Sequence, residues 1–464
     1  MCGIIGVHNN PEASVLCYLG MYALQHRGQE SAGVVSMDDK IAYKHHGMGL
    51  VADVFEDRSI LDRLAGDMAI GHNRYSTTGG SHIANVQPLL FNYKGGKMAI
   101  SHNGNLVNIA EIRDRLSEEG ALFQTSSDTE IVVHLIARSR KETLPEKIMD
   151  ALSQVEGAYS FLIQTEDTLI AVRDQYGFRP LCMGRMGETT VFASESCALD
   201  LIGAKYERDI NPGEMVVVND EGVNTYQVTT DVEKHHCIFE YVYFSRPDSR
   251  IYGKNVDKTR RKLGKLLAQE APCPEADRVI SVPDSSNTAA LGYARESGKR
   301  FEIGLIRNHY IGRSFIHPTQ SMRATSVKIK FNTVEGVLNG KKVVVVDDSI
   351  VRGTTLKSLT KLLREAGAEE VHIRISSPPI KHPCFYGLDF PDEKDLIANN
   401  MSIEEMRKFL GVDSLRYLSL DGMLSASDLD PNYFCNACFS GNYPIAIEEG
   451  ESQDKTRYEL EEIV

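Results

Sequence analysis

The sequence predicts a two-domain protein, with an α+β first half built on antiparallel strands and an α/β second half built on a parallel sheet. Its 464 residues exceed the length at which a single hydrophobic core usually stops growing. The first half alternates short apolar runs with Gly, Asn and Ser turns, a pattern typical of strands in hairpins. The second half repeats a buried strand, a polar loop and an amphipathic helix, which indicates a parallel sheet.

Two segments of the first half echo each other and predict strands that end side by side. The stretches "GDMAIGHNRYSTTGG" and "GGKMAISHNGNLVN" each carry Met-Ala-Ile followed by a His-Asn pair. A helix is predicted in "SSDTEIVVHLIARSR", where Ser127 and Glu130 have the spacing of a capping box. Polarity rises at "TTDVEKHHC". We therefore predict domains over residues 2–233 and 234–445, followed by an acidic surface tail over residues 446–464.

Composition and charge narrow the class of protein. Hydrophobic residues make up 42% and charged residues 25% of the chain, as in ordinary globular proteins. The net charge of −13 argues against a general nucleic-acid binder, because such binding depends on Lys and Arg that neutralise phosphates. No signal peptide and no apolar run long enough to cross a membrane is recognised, so a cytoplasmic location is expected. Nine cysteines without a secretory signal favour thiol or metal chemistry over a disulfide framework.

The segment "VVVVDDSIVRGTT" predicts a phosphate site in the second half. Four valines form a buried strand, and Asp347 and Asp348 follow directly at its end. Gly353, Thr354 and Thr355 then lead into an amphipathic helix, whose first N–H groups and hydroxyls suit a phosphate group. The two carboxylates suit ribose hydroxyls or a hydrated Mg²⁺. The alternative is a strand-end acid pair followed by a threonine-capped helix.

Two further segments of the second half fit a phosphorylated substrate. In "SVPDSSNTAA", Ser285 is a candidate for a metal or a pyrophosphate, whereas its neighbours could simply cap a helix. The stretch 307–332 contains no acidic residue, and we predict that it forms a lid over pyrophosphate. The alternative partner of this stretch is RNA. Its basic side chains are Arg307, Arg313, Arg323, Lys328 and Lys330.

Cys2 is a candidate N-terminal nucleophile. Removal of Met1 would leave it with a thiol and a free α-amine, which titrate near 8.5 and near 8 respectively. The amine could then serve as the general base for the thiol, without a histidine. The alternative is a cysteine that merely follows the start codon.

Five motifs of the first half favour the catalytic interpretation of Cys2. In order, they are "MCGIIGV", "ALQHRGQESAG", "GHNRYSTTG", "SHNGNLVN" and "SSDTE". Together they resemble the glutaminase domain of the N-terminal nucleophile amidotransferases. The resemblance implies an αββα sandwich in which the Cys2 thiolate attacks the carboxamide of glutamine. It also implies that the Asn103 side chain and the Gly104 N–H stabilise the resulting oxyanion.

The same resemblance implies a set of residues that bind glutamine. Because glutamine is a zwitterion, its carboxylate suits a guanidinium group and its ammonium group suits a carboxylate. Arg74 and Asp128 match the family positions for these two roles. Arg27 matches a residue that moves when the substrate binds. Asp128 also lies at the first turn of a predicted helix, where a negative charge complements the helix dipole.

The second half resembles the type I phosphoribosyltransferases. By that resemblance, Asp347 and Asp348 contact ribose hydroxyls or Mg²⁺, and Ser285 contributes to the metal site. The loop that wraps the 5-phosphate of phosphoribosylpyrophosphate comprises Ser349, Arg352, Gly353, Thr354 and Thr355.

The combination of both halves resembles the glutamine phosphoribosylpyrophosphate amidotransferase family. The resemblance implies that glutamine, phosphoribosylpyrophosphate and water give 5-phosphoribosylamine, glutamate and pyrophosphate, the first committed step of purine nucleotide synthesis. It further implies inhibition by purine nucleotides and a homotetramer. The remaining interpretations are another glutamine amidotransferase, such as one that makes glucosamine 6-phosphate or asparagine, and a regulatory nucleotide-binding protein without turnover.

Four cysteines resemble the ligands of the iron–sulfur, Bacillus-like branch of that family. "YFCNACFSG" supplies Cys435 and Cys438, while Cys237 and Cys384 lie farther upstream. Four thiolates can hold a [4Fe-4S] cluster or a zinc ion. Such a cluster would be structural, since neither half-reaction transfers electrons. The cysteines without this support, interpreted as core or surface thiols, are Cys17, Cys182, Cys197 and Cys273.

Overall fold

The computed structural model describes residues 1–75, 81–309, 329–390 and 392–447. The strands of the first half are β1 (Gly3–His8), β2 (Ser31–Asp38), β3 (Ile41–Met48), β4 (Met68–Arg74), β5 (Leu89–Tyr93), β6 (Gly96–Leu106), β7 (Gly157–Gln164), β8 (Leu169–Arg173), β9 (Cys182–Met186), β10 (Thr189–Ala193), β11 (Lys205–Asp209), β12 (Glu214–Asn219) and β13 (Gly222–Gln227). Its helices are α1 (Ala13–Ala23), α2 (Val51–Val54), α3 (Ser59–Arg63), α4 (Ile109–Glu118), α5 (Thr129–Arg138), α6 (Leu144–Leu152) and α7 (Ser196–Ile202).

These strands form two antiparallel sheets that pack face to face. The strand order is β11-β9-β10-β1-β4-β2-β3 in one sheet and β13-β12-β8-β7-β6-β5 in the other. Ile4 and Ile70 of the first sheet share one apolar core with Leu162 and Val216 of the second. Helices α1 and α7 cover the outer face of the first sheet, and α4, α5 and α6 cover that of the second. The predicted αββα sandwich is therefore confirmed.

The central strands of the sandwich are apolar on both faces. In β1, Ile4 faces the second sheet, whereas Ile5 and Val7 face the helices. In β6, Ala99 faces the first sheet and Ile100 faces the helices. A strand that is covered on both sides carries no apolar–polar alternation, which explains the continuous apolar character of "CGIIGV".

The second half adds a parallel sheet. Its strands are β14 (His236–Cys237), β15 (Arg250–Ile251), β16 (Lys254–Asn255), β17 (Arg278–Ser281), β18 (Arg300–Phe301), β19 (Leu305–Arg307), β20 (Phe331–Thr333), β21 (Lys342–Asp347), β22 (Glu370–Ile375), β23 (Ser414–Tyr417) and β24 (Phe434–Cys435). Its helices are α8 (Val256–Glu270), α9 (Asn287–Ser297), α10 (Glu335–Leu338), α11 (Thr354–Glu365), α12 (Ile397–Asn400), α13 (Ile403–Leu410), α14 (Leu420–Ser425) and α15 (Ala437–Ser440).

The predicted valine strand lies at the centre of this sheet. The strand order is β18-β17-β21-β22-β23, and every neighbouring pair is parallel. In β21, Val344 and Val346 pack towards α8 and α9, whereas Val343 and Val345 pack towards α11 and α13. The second half is thus an α/β unit with helices on both faces of a parallel sheet, as the sequence predicted.

The halves meet through backbone hydrogen bonds and through closely apposed loops, and the Cys237 N–H of the second half donates to the Phe178 carbonyl of the first at 3.1 Å. Strand β14, which directly follows the first half, pairs in parallel with β24 near the other end of the chain. The Asn105 side chain of β6 donates to the Phe385 carbonyl of the second half at 2.9 Å. Within the described ranges, no helix has the length and hydropathy needed to cross a bilayer.

One local prediction about the first half is wrong. Helix α5 begins at Thr129 after Asp128, and the predicted capping box of Ser127 and Glu130 does not form. The Glu130 carboxylate accepts instead from the backbone N–H groups of residues 124 and 125. The carboxylate thereby stabilises the turn before the helix.

Candidate active sites

Cys2 lies at the beginning of β1, between the ends of the two sheets. Its side chain is buried, and the thiol donates to the Tyr75 carbonyl at 3.6 Å. Its backbone N–H donates to the Oδ1 atom of Asn103 at 3.0 Å. Asn103 belongs to β6 of the other sheet, so the sandwich itself brings the predicted nucleophile and the predicted oxyanion residue together.

The oxygen and the nitrogen of the Asn103 side-chain amide differ in their hydrogen bonding. Its oxygen is engaged by Cys2, while its Nδ2 atom is buried and has no hydrogen-bond partner among the described residues. Leaving a buried donor unsatisfied costs about 1–3 kcal/mol. Such a donor next to a thiol is a group that a developing negative charge would satisfy.

Gly104 follows Asn103, and the chain passes too close to its neighbours there for any side chain. A Cβ atom at this position would lie 1.9 Å from the Ala158 carbonyl oxygen. Gly387 of the second half also lies against this residue, since its own Cβ would lie 3.1 Å from the Gly104 carbonyl. The predicted oxyanion segment is therefore covered by backbone from both halves.

Arg27 is fully buried and binds the backbone carbonyl of Cys2. Its Nε atom donates to the Cys2 carbonyl at 2.9 Å. Its terminal nitrogens form ion pairs with Glu195 at 2.5 Å and with Glu240 of the second half at 2.8 Å. His26 also contacts Glu195 at 2.8 Å. Burial opposes ionisation of Glu195, but His26 and Arg27 hold the pKa of its carboxyl well below the usual range.

Sequence reasoning missed the two carboxylates that hold Arg27. Glu195 lies between a strand and a helix in "VFASESCALD", and Glu240 lies in the aromatic stretch "IFEYVYF". An isolated acid within an apolar run is a signal that could have found them, because buried carboxylates need partners.

Arg74 and Asp128 approach Cys2 along different strands: Asn73, which precedes Arg74, pairs with Gly3, and Asp128 binds β6 three residues after Asn103. Arg74 is the last residue of β4, and its guanidinium group contacts Glu30 at 3.0 Å. Asp128 accepts from the Leu106 N–H at 3.1 Å and lies 3.4 Å from Nδ1 of His102. Burial opposes the charge of Asp128, but His102 holds its pKa below the usual value. Asp128 is therefore a buried anion, as a partner for an ammonium group must be.

The second site lies at the carboxyl end of β21. Ser285 donates to Asp348 at 2.6 Å, and Ser286 donates to Asp347 at 3.0 Å. Ser349 donates to the other oxygen of Asp348 at 2.6 Å. Burial raises the pKa of both carboxyls, and the charge of Asp348 raises that of Asp347 further. Two crowded carboxylates with raised pKa values are suited to a cation or to ribose hydroxyls.

The predicted phosphate loop joins β21 to α11. Gly353 has a φ of +72°, a conformation that side chains disfavour, and its Cβ would lie 2.8 Å from Ile397. Thr354 and Thr355 form the first turn of α11. Arg352 is exposed and lies 3.7 Å from Asp395. The N-terminus of a twelve-residue helix therefore opens directly next to the aspartate pair.

The ends of the predicted lid meet in the short antiparallel pair β19·β20. Arg307 pairs in register with Phe331 and lies 3.3 Å from Asp284, in the loop that carries Ser285. Lys330 precedes β20. Arg313, Arg323 and Lys328 lie outside the described residues, as does nearly all of the predicted acidic tail.

The four predicted ligand cysteines converge where the halves meet. Cys237 and Cys435 are paired across β14 and β24. Burial raises the pKa of Cys237 to about 11, with the neighbouring Cys384 contributing. Burial also raises the pKa of Cys438, and the other three thiols raise it further. Among the described residues, no three of these four sulfur atoms lie within 4.8 Å of one another.

The other cysteines stand apart from this group. Cys17, Cys182 and Cys197 are buried in the first half, and burial raises the pKa of each. Cys273 lies near Glu275 and His372, at the end of the parallel sheet where β22 begins.

Comparison with known proteins finds one family model in each half of the chain. A model of the glutamine amidotransferase domain matches residues 72–201, and a model of the phosphoribosyl transferase domain matches residues 277–377. The amidophosphoribosyltransferase of Bacillus subtilis is 49% identical over 96% of this chain and 94% of its own. The chloroplastic amidophosphoribosyltransferase of Vigna aconitifolia is 51% identical over 96% of this chain and 92% of its own.

A solved structure shares the whole architecture. The glutamine phosphoribosylpyrophosphate amidotransferase from B. subtilis, complexed with ADP and GMP, superimposes with a TM-score of 0.92 at 47% identity. The match covers 98% of this chain and 100% of that one.

Fold and sites together define a glutamine amidotransferase domain joined to a phosphoribosyltransferase domain in one chain. At this level of identity and coverage, the chain belongs to the amidophosphoribosyltransferase family, whose reaction is the first step of purine biosynthesis.

Proposed function

We propose that this chain converts glutamine, phosphoribosylpyrophosphate and water to 5-phosphoribosylamine, glutamate and pyrophosphate. The observation that carries the proposal is the Asn103 amide, whose oxygen binds the Cys2 N–H while its buried N–H₂ group has no partner among the described residues. A donor in that position suits the tetrahedral intermediate of amide hydrolysis. Family membership and the aspartate pair of the second half extend the proposal to the ribosyl transfer.

The first half-reaction is hydrolysis of glutamine at Cys2. After removal of Met1, the α-amine of Cys2 accepts the thiol proton, and the thiolate attacks the carboxamide carbon. The Asn103 side chain and the Gly104 N–H stabilise the oxyanion. The amine then passes its proton to the departing ammonia, and water hydrolyses the thioester to glutamate.

Three charged residues hold glutamine for this reaction. Arg74 binds the substrate carboxylate, and Asp128, kept ionised by His102, binds the ammonium group. Arg27 positions the Cys2 carbonyl, and we propose that it shifts when glutamine binds.

The second half-reaction joins ammonia to the ribose. The ribose hydroxyls are held by Asp347 and Asp348. The 5-phosphate is surrounded by the loop residues Ser349, Arg352, Gly353, Thr354 and Thr355. Ser285 and the two aspartates are the residues that would hold Mg²⁺. Their oxygen-rich set fits that hard cation, which supplies charge neutralisation for the departing pyrophosphate. Neutralisation of the pyrophosphate charge is completed by the basic residues of the lid, which are Arg307, Arg313, Arg323, Lys328 and Lys330.

Ammonia passes directly from one site to the other. Free ammonia is mostly protonated at neutral pH and would be lost to water. We therefore propose an apolar passage that is formed when the lid closes, so that glutamine hydrolysis depends on phosphoribosylpyrophosphate.

We propose that a [4Fe-4S] cluster is held by four cysteines, which are Cys237, Cys384, Cys435 and Cys438. The pairing of Cys237 with Cys435, and the effect of the other three thiols on the pKa of Cys438, support one shared site for the set. Four cysteine thiolates are the usual ligands of such a cluster. Bound there, the cluster would link β14 to the C-terminal segment, a structural role that needs no redox step.

Further properties are proposed from the relatives. Purine nucleotides are proposed as inhibitors, because the related B. subtilis structure holds ADP and GMP. We also propose that the chain forms a homotetramer, that it is located in the cytoplasm, and that its domains span residues 2–233 and 234–445. Several plant relatives are named as chloroplastic, so location is a property to be measured for this chain.

The proposed function is tested by measuring glutamate release from protein purified without oxygen and shown to lack Met1. The assay is run with and without phosphoribosylpyrophosphate and Mg²⁺. Strong release only in their presence supports a coupled amidotransferase. No release in either condition refutes the glutaminase assignment, and equal release in both refutes the coupling.

A further inference from the structure

Cys273, Glu275 and His372 form a cluster of possible metal ligands outside the two sites described above. One sulfur, one carboxylate oxygen and one imidazole nitrogen of these residues all lie within 4.8 Å of one another. Cys273 and His372 are almost completely buried, whereas Glu275 is exposed. The cluster thus combines two ligands inside the protein with a third at its surface, through which an ion can enter from solvent.

The cluster is built from two distant parts of the chain. Cys273 and Glu275 lie in the turn between α8 and β17, in the sequence "APCPEAD", where a proline on each side of Cys273 restricts the backbone. His372 belongs to β22 and lies three residues before Ile375, which pairs with Asp347. Three strand residues span about 10 Å. The cluster is therefore separated from the aspartate pair, towards the opposite edge of the parallel sheet.

Glu370 determines which nitrogen of His372 is available to a metal. Its carboxylate lies 3.0 Å from Nε2 of His372. A hydrogen bond from Lys342 lowers the pKa of Glu370, so this carboxylate is ionised at neutral pH and can only accept. In the neutral imidazole the proton therefore resides on Nε2, and Nδ1 keeps its lone pair. A carboxylate on the far nitrogen is the usual partner of a metal-bound histidine.

Nδ1 of His372 is the nitrogen that faces the other two ligands. It lies 3.8 Å from a carboxylate oxygen of Glu275. The hydroxyl of Ser414 is 3.0 Å from the same nitrogen, and Arg374 donates to that hydroxyl oxygen at 2.8 Å. Because its oxygen accepts from Arg374, the hydroxyl can donate its hydrogen to Nδ1. Nδ1 is thus an acceptor, the form that a metal ligand requires.

The charges of the cluster suit a divalent cation. The Cys273 thiolate and the Glu275 carboxylate together carry two negative charges. Burial raises the pKa of the Cys273 thiol to about 11, and the nearby Arg374 opposes this effect by favouring the thiolate. Arg374 directs other N–H groups to the carbonyls of Ala271 and Pro272, at 2.8 and 3.2 Å. This arginine therefore stabilises the turn that carries Cys273.

We propose that Cys273, Glu275 and His372 bind a zinc ion, with water as the fourth ligand. Zinc accepts thiolate, imidazole and carboxylate ligands in one tetrahedral site, and sites with three protein ligands keep a water molecule. Mg²⁺ prefers oxygen ligands and does not suit this set. The ion would tie the turn after α8 to β22. Since none of these residues belongs to either active site, the inference does not depend on the proposed function.

Bound zinc is counted after equilibrium dialysis of the full chain, purified without oxygen, against Zn²⁺ in the presence of excess Mg²⁺. We expect the unsubstituted chain to bind one zinc ion more than Cys273→Ala. The matched control Cys182→Ala, which removes a buried thiol of the first half, should retain that ion. Cys438→Ser should retain it too, which distinguishes this site from the four-cysteine site. Equal zinc in the unsubstituted chain and in Cys273→Ala, or no uptake in either, overturns the inference.

Two carboxylate variants test the site without altering the buried thiol. Glu370→Gln removes the partner of Nε2 and should weaken zinc binding about 10- to 100-fold. Glu369→Gln removes the same charge from the exposed neighbouring residue, and it should leave the affinity unchanged. An equal affinity in the two variants contradicts the role of His372 as a ligand.

Thermal unfolding supplies a second readout of the same site. An ion that binds only the folded chain raises Tm as its concentration increases. Zn²⁺ should therefore raise the Tm of the unsubstituted chain and of Glu369→Gln more than that of Glu275→Gln, in which an exposed ligand is lost. The same rise in Glu275→Gln as in the unsubstituted chain would place the zinc elsewhere and refute the proposed ligand set.

Discussion

The Asn103 side chain accepts a hydrogen bond from the Cys2 N–H at 3.0 Å, and its own buried N–H₂ group has no partner among the residues that the structure describes. One amide thereby fixes the nucleophile through its oxygen and offers a donor through its nitrogen. Because the two residues belong to different sheets, this relationship depends on the packing of the whole sandwich.

Asn103→Asp should separate these two functions of the amide. A carboxylate still accepts from the Cys2 N–H, but it repels a developing oxyanion. We expect kcat for glutamine hydrolysis to fall about 10²- to 10³-fold, with ammonia-dependent synthesis unchanged. Asn108→Asp, outside the site, serves as the control. A full kcat for Asn103→Asp would contradict the oxyanion role.

Asp128→Asn should weaken glutamine binding more than it slows chemistry. Loss of a charged hydrogen-bond partner costs about 1.5–3 kcal/mol, so KM for glutamine should rise about 10- to 100-fold. Steady-state kinetics of hydrolysis, with the exposed Asp114→Asn as control, measure the effect. An unchanged KM would leave Asp128 as a residue that only supports the start of α5.

Glu195→Gln should change how thermal stability depends on pH. Glutamate ionises near 4.5 in an unfolded chain, whereas His26 and Arg27 hold the pKa of buried Glu195 well below that value. Below about 4.5 the unfolded chain therefore binds a proton that the folded chain does not, and stability falls as pH decreases.

The Tm of the unsubstituted chain should fall between about pH 6 and pH 4, the range in which glutamate titrates. The variant lacks this contribution, so its Tm should fall less steeply over the same range. At neutral pH it should be destabilised by about 3–5 kcal/mol, the usual cost of breaking a buried pair. Glu207→Gln, in a half-exposed pair with Arg185, is the control. Parallel Tm curves for the variant and the unsubstituted chain would show that Glu195 is not ionised as described.

Cys438→Ser should remove iron and sulfide from protein isolated without oxygen. The substitution deletes one of four converging thiolates, and a cluster of this type needs all of its protein ligands to be held firmly. Cys197→Ala, which removes a buried thiol elsewhere, should retain the metal. Equal iron content in the two variants, or zinc in place of iron in the unsubstituted chain, would refute the assignment of the cluster.

Sequence reasoning succeeded where local structure depends on contiguous residues. The valine strand, the aspartate pair at its end and the glycine before α11 are all encoded within a dozen positions. Ser285, predicted to share a metal site with the two aspartates, lies 2.6 Å from Asp348, because β17 and β21 are adjacent parallel strands whose ends share one edge. Its role towards a metal stays a prediction.

Sequence reasoning failed where interacting residues come together only through tertiary packing. Arg27 meets Glu195 and Glu240 across separations of 168 and 213 residues. No local pattern marks these carboxylates as partners, because an ion pair leaves no periodicity in the sequence. The predicted capping box failed for a related reason, since Glu130 found better donors in the preceding turn.

Gly387 and Gly104 touch across the boundary between the halves: a Cβ at Gly104 would clash with the Ala158 carbonyl, and a Cβ at Gly387 would lie only 3.1 Å from the Gly104 carbonyl. The hydrolytic site therefore has one wall made from the neighbouring unit. Residues 2–233 expressed alone would expose the oxyanion segment to bulk water, which would compete for the very donors that the fold keeps dry. The same contact restricts divergence, because a larger residue at Gly387 must be accommodated by the Gly104 backbone of the other half.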